Sequence, residues 1–181
     1  MSSHFLTLYE SQAQLLVNAV GSKDADLGVE IAEQLSLNSD EQNALSIVLS
    51  RTYTRDAETW EHPDGHHIVR AFASMCGYFA VHTDVIELYD DEERAPYLWE
   101  LCWSDWDGED PFQLPLSPFG CPSVTFHGHD RLTRICSGLK GIQKKGNTYA
   151  DFISDDELDA LIGVIAHATK SRSGLFTKIE Y

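Results

Sequence analysis

A chain of 181 residues, 43% of them apolar, can bury roughly 70% of its unfolded surface, so neither disorder nor a stabilising metal or disulfide is expected. Its net charge of −16 has the wrong sign for phosphates, which disfavours direct binding to DNA or RNA and to an anionic membrane surface. The charge is uneven: residues 1–130 hold 5 Lys and Arg against 23 Asp and Glu, whereas residues 131–181 hold 8 against 6.

In chain order, His4-Phe5-Leu6-Thr7-Leu8-Tyr9 alternates and is rich in strand formers, which predicts a short strand. Ser11 to Val20 follows as a helix with Leu15, Leu16 and Ala19 on one face, closed by Gly21. Ser22 or Asp24 caps a second helix carrying Leu27, Ile31 and Leu35. Ser39-Asp40-Glu41-Gln42 has the form of a capping box and opens a third helix, with Leu45, Val48 and Leu49 inward. Arg51 to Glu61 reads as a polar connection and Pro63-Asp64-Gly65 as a turn. His66 to Phe79 is the most apolar helix of the first half, with Ile68, Val69, Phe72, Met75, Cys76 and Phe79 expected in the core.

Thr83 is expected to cap a helix running toward Arg94, and Pro96 suits the first turn of another that ends near Trp106. Gly and Pro density makes 107–122 a loop, followed by a strand at Ser123 to His127. His129 to Leu139 is helical by period, and Gly141 to Tyr149 reads as a basic turn. Ser154-Asp155-Asp156-Glu157 is the clearest capping box in the chain. It opens a helix with Leu158, Leu161, Ile162 and Ile165 buried and Lys170 and Arg172 at its carboxyl end. Gly174 begins a last strand, Leu175 to Tyr181. The sum is an α+β chain, predominantly helical, read as one domain over residues 1–181, with a small sheet that includes the amino- and carboxyl-terminal strands.

No positively charged amino-terminal region followed by an apolar run is visible, and no apolar stretch approaches the ~18 residues of a membrane span. The four cysteines, Cys76, Cys102, Cys121 and Cys136, form no CxxC pair and read as reduced, mostly buried thiols of a cytoplasmic protein.

The first strand, the helix closed by Gly21-Ser22-Lys23-Asp24, and the last strand Gly174-Leu175-Phe176 ending in Tyr181 resemble a group of small uncharacterised bacterial proteins. Some of that group look like members of toxin–immunity gene clusters. The resemblance spans about a quarter of the chain. It implies an immunity or accessory role and offers no catalytic residues.

The most informative segment runs from Asp84 to Asp110, where eleven acidic residues face a lone basic one, Arg94. Asp90, Asp91, Glu92, Glu93, Glu100, Asp105, Asp107, Glu109 and Asp110 concentrate a like-charge repulsion that no structural role requires. Trp99, Trp103 and Trp106 recur at spacings of four and three, so one helix would align them. Such a stripe is ordinarily core; beside so much acid, Trp is also the side chain most enriched at binding hot spots. These twelve residues form the candidate surface for a basic protein partner.

Other constellations are weaker. Asp105 to Asp110 offers alternating oxygens but has Asp110 and Leu116 where a calcium loop needs Gly and Glu. His62, His66 and His67, with His127 and His129, hold the donor types of a zinc or iron site but match no spaced motif. Cys121, before Pro122, with a nearby histidine as base, lacks the surroundings of a cysteine hydrolase. Neither GxxxxGK[ST] nor GxGxxG is present, so no phosphate cradle and no cofactor are implied. Lys140, Lys144 and Lys145 form a small basic patch that reads as a solubilising loop or a self-contact. The expectation is an acidic protein-binding module, specifically an immunity-type protein that occludes a basic, nuclease-like toxin domain. The alternatives are a metal-dependent hydrolase built on the histidines and a structural or self-assembling accessory protein.

Overall fold

The expected strand at the amino terminus forms, and it extends as β1 (His4–Ser11) in a computed structural model that describes residues 3–54, 56, 58, 59, 61–116 and 122–180. The remaining elements are α1 (Ala13–Ala19), α2 (Ala25–Gln34), α3 (Ser39–Ser50), α4 (Gly65–Phe79), β2 (Ala80–Leu88), α5 (Pro96–Trp103), β3 (Ser123–His127), α6 (His129–Lys144), α7 (Asp155–Ser171) and β4 (Gly174–Glu180). The fold is α+β: among the described residues the four strands make one sheet in the order β2-β1-β4-β3. The two terminal strands are antiparallel neighbours, with Leu6 opposite Ile179 and Tyr9 opposite Phe176. No helix among the described residues is long and apolar enough to cross a membrane.

The chain divides into two compact units, one of Met1–Ser11, Val81–Glu109 and Thr125–Tyr181, the other of Gln12–Ala80 and Asp110–Val124. The first holds the sheet with α5, α6 and α7. In β1, Leu6 and Leu8 are fully buried while Phe5 is exposed, the alternation that the two-residue period of a strand imposes. On α7, Leu158, Leu161, Ile162 and Ile165 are buried, and the predicted capping box is present: Ser154 Oγ accepts from the Glu157 amide at 3.3 Å. Gly138 on α6 has no side chain because the Tyr97 ring of α5 occupies the space a Cβ would take. Gly174 yields in the same way to the Phe126 ring.

The second unit packs α1 to α4. Leu16, Ile31, Leu45, Val48, Ile68, Phe72 and Met75 are buried, and the Phe72 and Phe112 rings meet at 4.7 Å. Leu15 and Leu35, expected inward, are exposed. The capping box of α3 sits one residue earlier than its sequence suggests: Asn38, not Ser39, accepts from the Asp40 and Glu41 amides, and Glu41 returns the bond to the Asn38 amide. Asp24, not Ser22, caps α2.

Three expectations are corrected. Thr83 caps no helix; it lies in β2, where β-branched Val81, Val85 and Ile86 favour extended backbone and Ile86 and Leu88 are buried at a spacing of two. Gly141 does not break α6, which continues to Lys144 because Ile142 extends the buried stripe begun by Leu132, Ile135 and Leu139. α5 ends at Trp103, so Trp106 lies beyond the helix that was to align it. Tyr181 and Cys121 fall outside the described residues. Cys76, Cys102 and Cys136 are free and buried.

Candidate functional site

The acidic segment leaves β2, turns through Tyr89–Ala95, forms α5 and continues as a loop to Asp110. The turn is held by Asp91, whose Oδ1 accepts from the amides of Glu93 at 3.0 Å and Arg94 at 2.9 Å. α5 starts with Pro96 in its first turn and buries Leu98, Leu101 and Cys102. The segment's geometry sorts its acids into two groups.

The first group is bound internally. Asp90 receives His4 Nε2 on Oδ1 at 2.7 Å and the Trp103 indole N–H on Oδ2. Glu100 takes both guanidinium nitrogens of Arg134, a bidentate pair that raises the Arg134 pKa, and lies 3.7 Å from Arg131 Nε. Asp107 Oδ2 accepts from the Gly128 amide at 3.0 Å. Arg131 also donates to Ser104 Oγ at 2.9 Å and to the Asp105 carbonyl at 2.6 Å, fastening the loop after α5. Asp110, in the other compact unit, accepts from the Phe112 amide at 2.9 Å.

The second group is Glu92, Glu93, Asp105 and Glu109. All four are exposed, and their side chains make no hydrogen bond or ion pair among the described residues. Arg94, the basic residue nearest in sequence, is directed to Asp151 Oδ2 at 2.9 Å. With Glu87 of β2, which is exposed in the same way, these are the carboxylates of the segment that meet neither a cation nor a hydrogen-bond donor among the described residues.

Trp99, Trp103 and Trp106 are each half-buried. Trp99 and Trp103 lie 5.8 Å apart between ring centroids, and Trp103 meets His4 edge to face at 6.0 Å. Trp106 instead stacks on Phe126 at 5.9 Å and meets Phe176 at 5.8 Å. Each indole thus packs on its own unit with one side and keeps the remainder in solvent.

The histidines do not converge. Among the described residues no group of three or more His, Cys, Asp or Glu side chains is placed to hold a metal ion. His62 Nδ1 accepts from the Asp64 amide at 3.0 Å, and the His66 and His67 rings pack on each other at 3.7 Å. Burial, with the charges of His67 and Arg70, lowers the His66 pKa. His129 is exposed at the start of α6. His127 is fully buried beside Thr177 Oγ1 at 3.0 Å, and burial with the Arg131 charge pushes its pKa down to about 3. The buried Cys76 and Cys102 thiols are raised above their ordinary pKa, chiefly by burial, which suppresses the thiolate a nucleophile needs.

Sequence reasoning missed a polar cluster around Glu10. This carboxylate is fully buried and accepts from His167 Nδ1 at 2.6 Å, Ser171 Oγ at 2.7 Å and Ser173 Oγ at 2.5 Å. Burial alone would raise its pKa, but the three hydrogen bonds and the His167 charge outweigh it and hold the value low. A carboxylate–imidazole–hydroxyl set has the composition of a catalytic triad, but both hydroxyls are spent on the carboxylate, so neither faces the imidazole as a nucleophile. The cluster fastens the end of β1 to the end of α7. Its signal was available: Glu10 falls in the same register as Leu6 and Leu8, a charge at a core-facing strand position.

No protein-family model, curated protein or solved structure matches the chain.

Proposed function

We propose that this chain is a cytoplasmic, acidic protein-binding module of the immunity type, which neutralises a basic, nuclease-like toxin domain by occluding it. The observation that carries the reading is the sorting of acids in the segment after β2. Asp90, Asp91, Glu100 and Asp107 serve the fold, whereas Glu92, Glu93, Asp105 and Glu109 stand exposed with no counter-charge among the described residues. Unpaired carboxylates on a chain of charge −16 repel one another and destabilise the compact state, a cost that complementarity to a basic partner offsets. The solvent-facing parts of Trp99 and Trp103 supply apolar area in the same segment, and Trp103 binds Asp90, two positions from Glu92; apolar anchor beside charged rim is the pairing that protein interfaces use.

Co-expression with the product of the neighbouring gene tests this. The expected result is a basic domain that arrests growth when produced alone, is relieved by this chain, and copurifies with it. Replacing Glu92, Glu93, Asp105 and Glu109 together by Lys is expected to abolish relief while leaving the thermal melt unchanged or slightly raised. A neighbour that is neither toxic nor bound, or relief that survives the charge reversal, would remove the reading.

A further inference from the structure

The sheet order gives β2 one strand neighbour, β1, so its other edge pairs with no strand among the described residues. Part of that edge is closed by other means. The Glu87 amide donates to Glu157 Oε1 at 3.2 Å, and the Tyr89 amide donates to the Phe152 carbonyl at 2.7 Å. Amides of this parity therefore point away from β1. The two-residue period of a strand places the Val81, Thr83 and Val85 amides on the same outer edge. Of these, the Val85 amide is met at 2.9 Å by Asp84 Oδ1, a local stand-in for a strand partner.

The side chains agree with an edge left open. Val81, His82, Thr83 and Val85 are all exposed, Val81 by 70% and Val85 by 56%. Exposed β-branched residues on an unpaired edge are what proteins ordinarily suppress. β2 contains Asp84 and Glu87 but neither Lys nor Arg, and Glu92 and Glu93 follow just beyond it. Pairing with a second copy would set acid against acid. A strand with Lys or Arg at alternate positions would meet opposite charge instead, and apolar residues between them would continue the Val81 and Val85 face.

We infer that the Val81–Val85 edge of β2 accepts an extended segment of the basic partner as an added strand. Main-chain hydrogen bonds give the contact its strength, and alternating basic and apolar side chains give it selectivity. This rests on the proposed basic partner and names the surface and the backbone form of the segment that docks there.

The probe is a short peptide of alternating lysine and valine, titrated into the full chain and followed by amide NMR shifts. The Val81, Thr83 and Val85 amides are expected to move first. Thr83→Pro deletes one outer amide, a change edge strands tolerate, and is expected to weaken the peptide at least about fivefold, whereas Thr83→Ala is not. Asp84→Lys is expected to shift preference toward the glutamate–valine counterpart and does not depend on Thr83→Pro folding. Shifts confined to other residues, undiminished binding by folded Thr83→Pro, or an unchanged preference in Asp84→Lys would overturn the inference. So would self-association that Thr83→Pro abolishes, since the occupant would then be a second copy. Should the edge variants fail while growth relief persists, the immunity reading stands without the edge. Should relief fail while the peptide still docks on β2, the edge stands as a peptide site without that reading.

Discussion

His127 shows how a single buried side chain sets a pH response. Thr177 Oγ1 donates to the Leu101 carbonyl at 2.8 Å, so toward the imidazole it must accept, which fixes the proton on Nε2. Nδ1 is left with no partner among the described residues, and protonating it would place a charge in the core beside Arg131. The folded pKa of about 3 lies below the ordinary value of 6.5, so the unfolded chain takes the proton first. Stability from this residue is complete above pH 6.5 and is lost as pH falls toward 3, by up to about 1.4 kcal/mol per pH unit. Glu10, also held below its ordinary 4.5, adds a loss of the same sign that starts only below that value. Urea melts across this range are expected to slope already between pH 6.5 and 4.5, and His127→Gln is expected to flatten that upper limb. An unchanged slope in the variant would show that another group controls it.

Among the elements, α4 carries the greatest weight in its unit. Gly65, Ile68, Val69, Ala71, Phe72, Ala73, Met75 and Cys76 are all buried along it, a face wide enough to hold a helix without any side-chain cap. Phe72 is fully enclosed and leans on Phe112 from the loop after Asp110. Phe72→Ala is expected to cost about 3–5 kcal/mol in a denaturant melt, the range for emptying a buried aromatic site. Ser154→Ala on α7 provides a contrast. It removes a cap and not a core contact, and is expected to cost about 1 kcal/mol. Equal losses in the two variants would mean that packing around Phe72 collapses to fill the space.

For the whole molecule, the charge imbalance along the sequence is partly healed by folding. Arg131 and Arg134, from the basic final third, reach Glu100 and Asp107 of the acidic segment, and Arg94 reaches Asp151. What folding leaves is a field set by the carboxylates that no arginine meets among the described residues. Such a field acts over a Debye length, about 30 Å at 0.01 M salt and about 8 Å at 0.15 M. Stopped-flow association with the proposed basic partner is expected to slow markedly across that interval while dissociation changes much less. A salt-independent association rate would leave the steering role without support.

The sequence by itself determined the α+β class, its two terminal strands, the capping box at Ser154 and the buried faces of α4, α6 and α7. All follow from local periodicity and composition, where the two-residue and 3.6-residue repeats speak without ambiguity. It did not determine β2, because Thr83-Asp84 resembles a helix cap and competes with the β-branched Val81, Val85 and Ile86, and burial of Ile86 and Leu88 in the sheet decides for the strand. Nor did it separate structural acids from free ones. Glu92 and Glu100 are alike in a sequence, and what distinguishes them is that α6 brings Arg134 to one and nothing described to the other. The register of β1 marks Glu10 as a buried charge, but its partners were beyond reach, since His167, Ser171 and Ser173 stand more than 150 positions away along the chain. Patterning selects elements because its signal is local; charge partnership, side-chain exposure and open strand edges are long-range, and only the tertiary fold decided them.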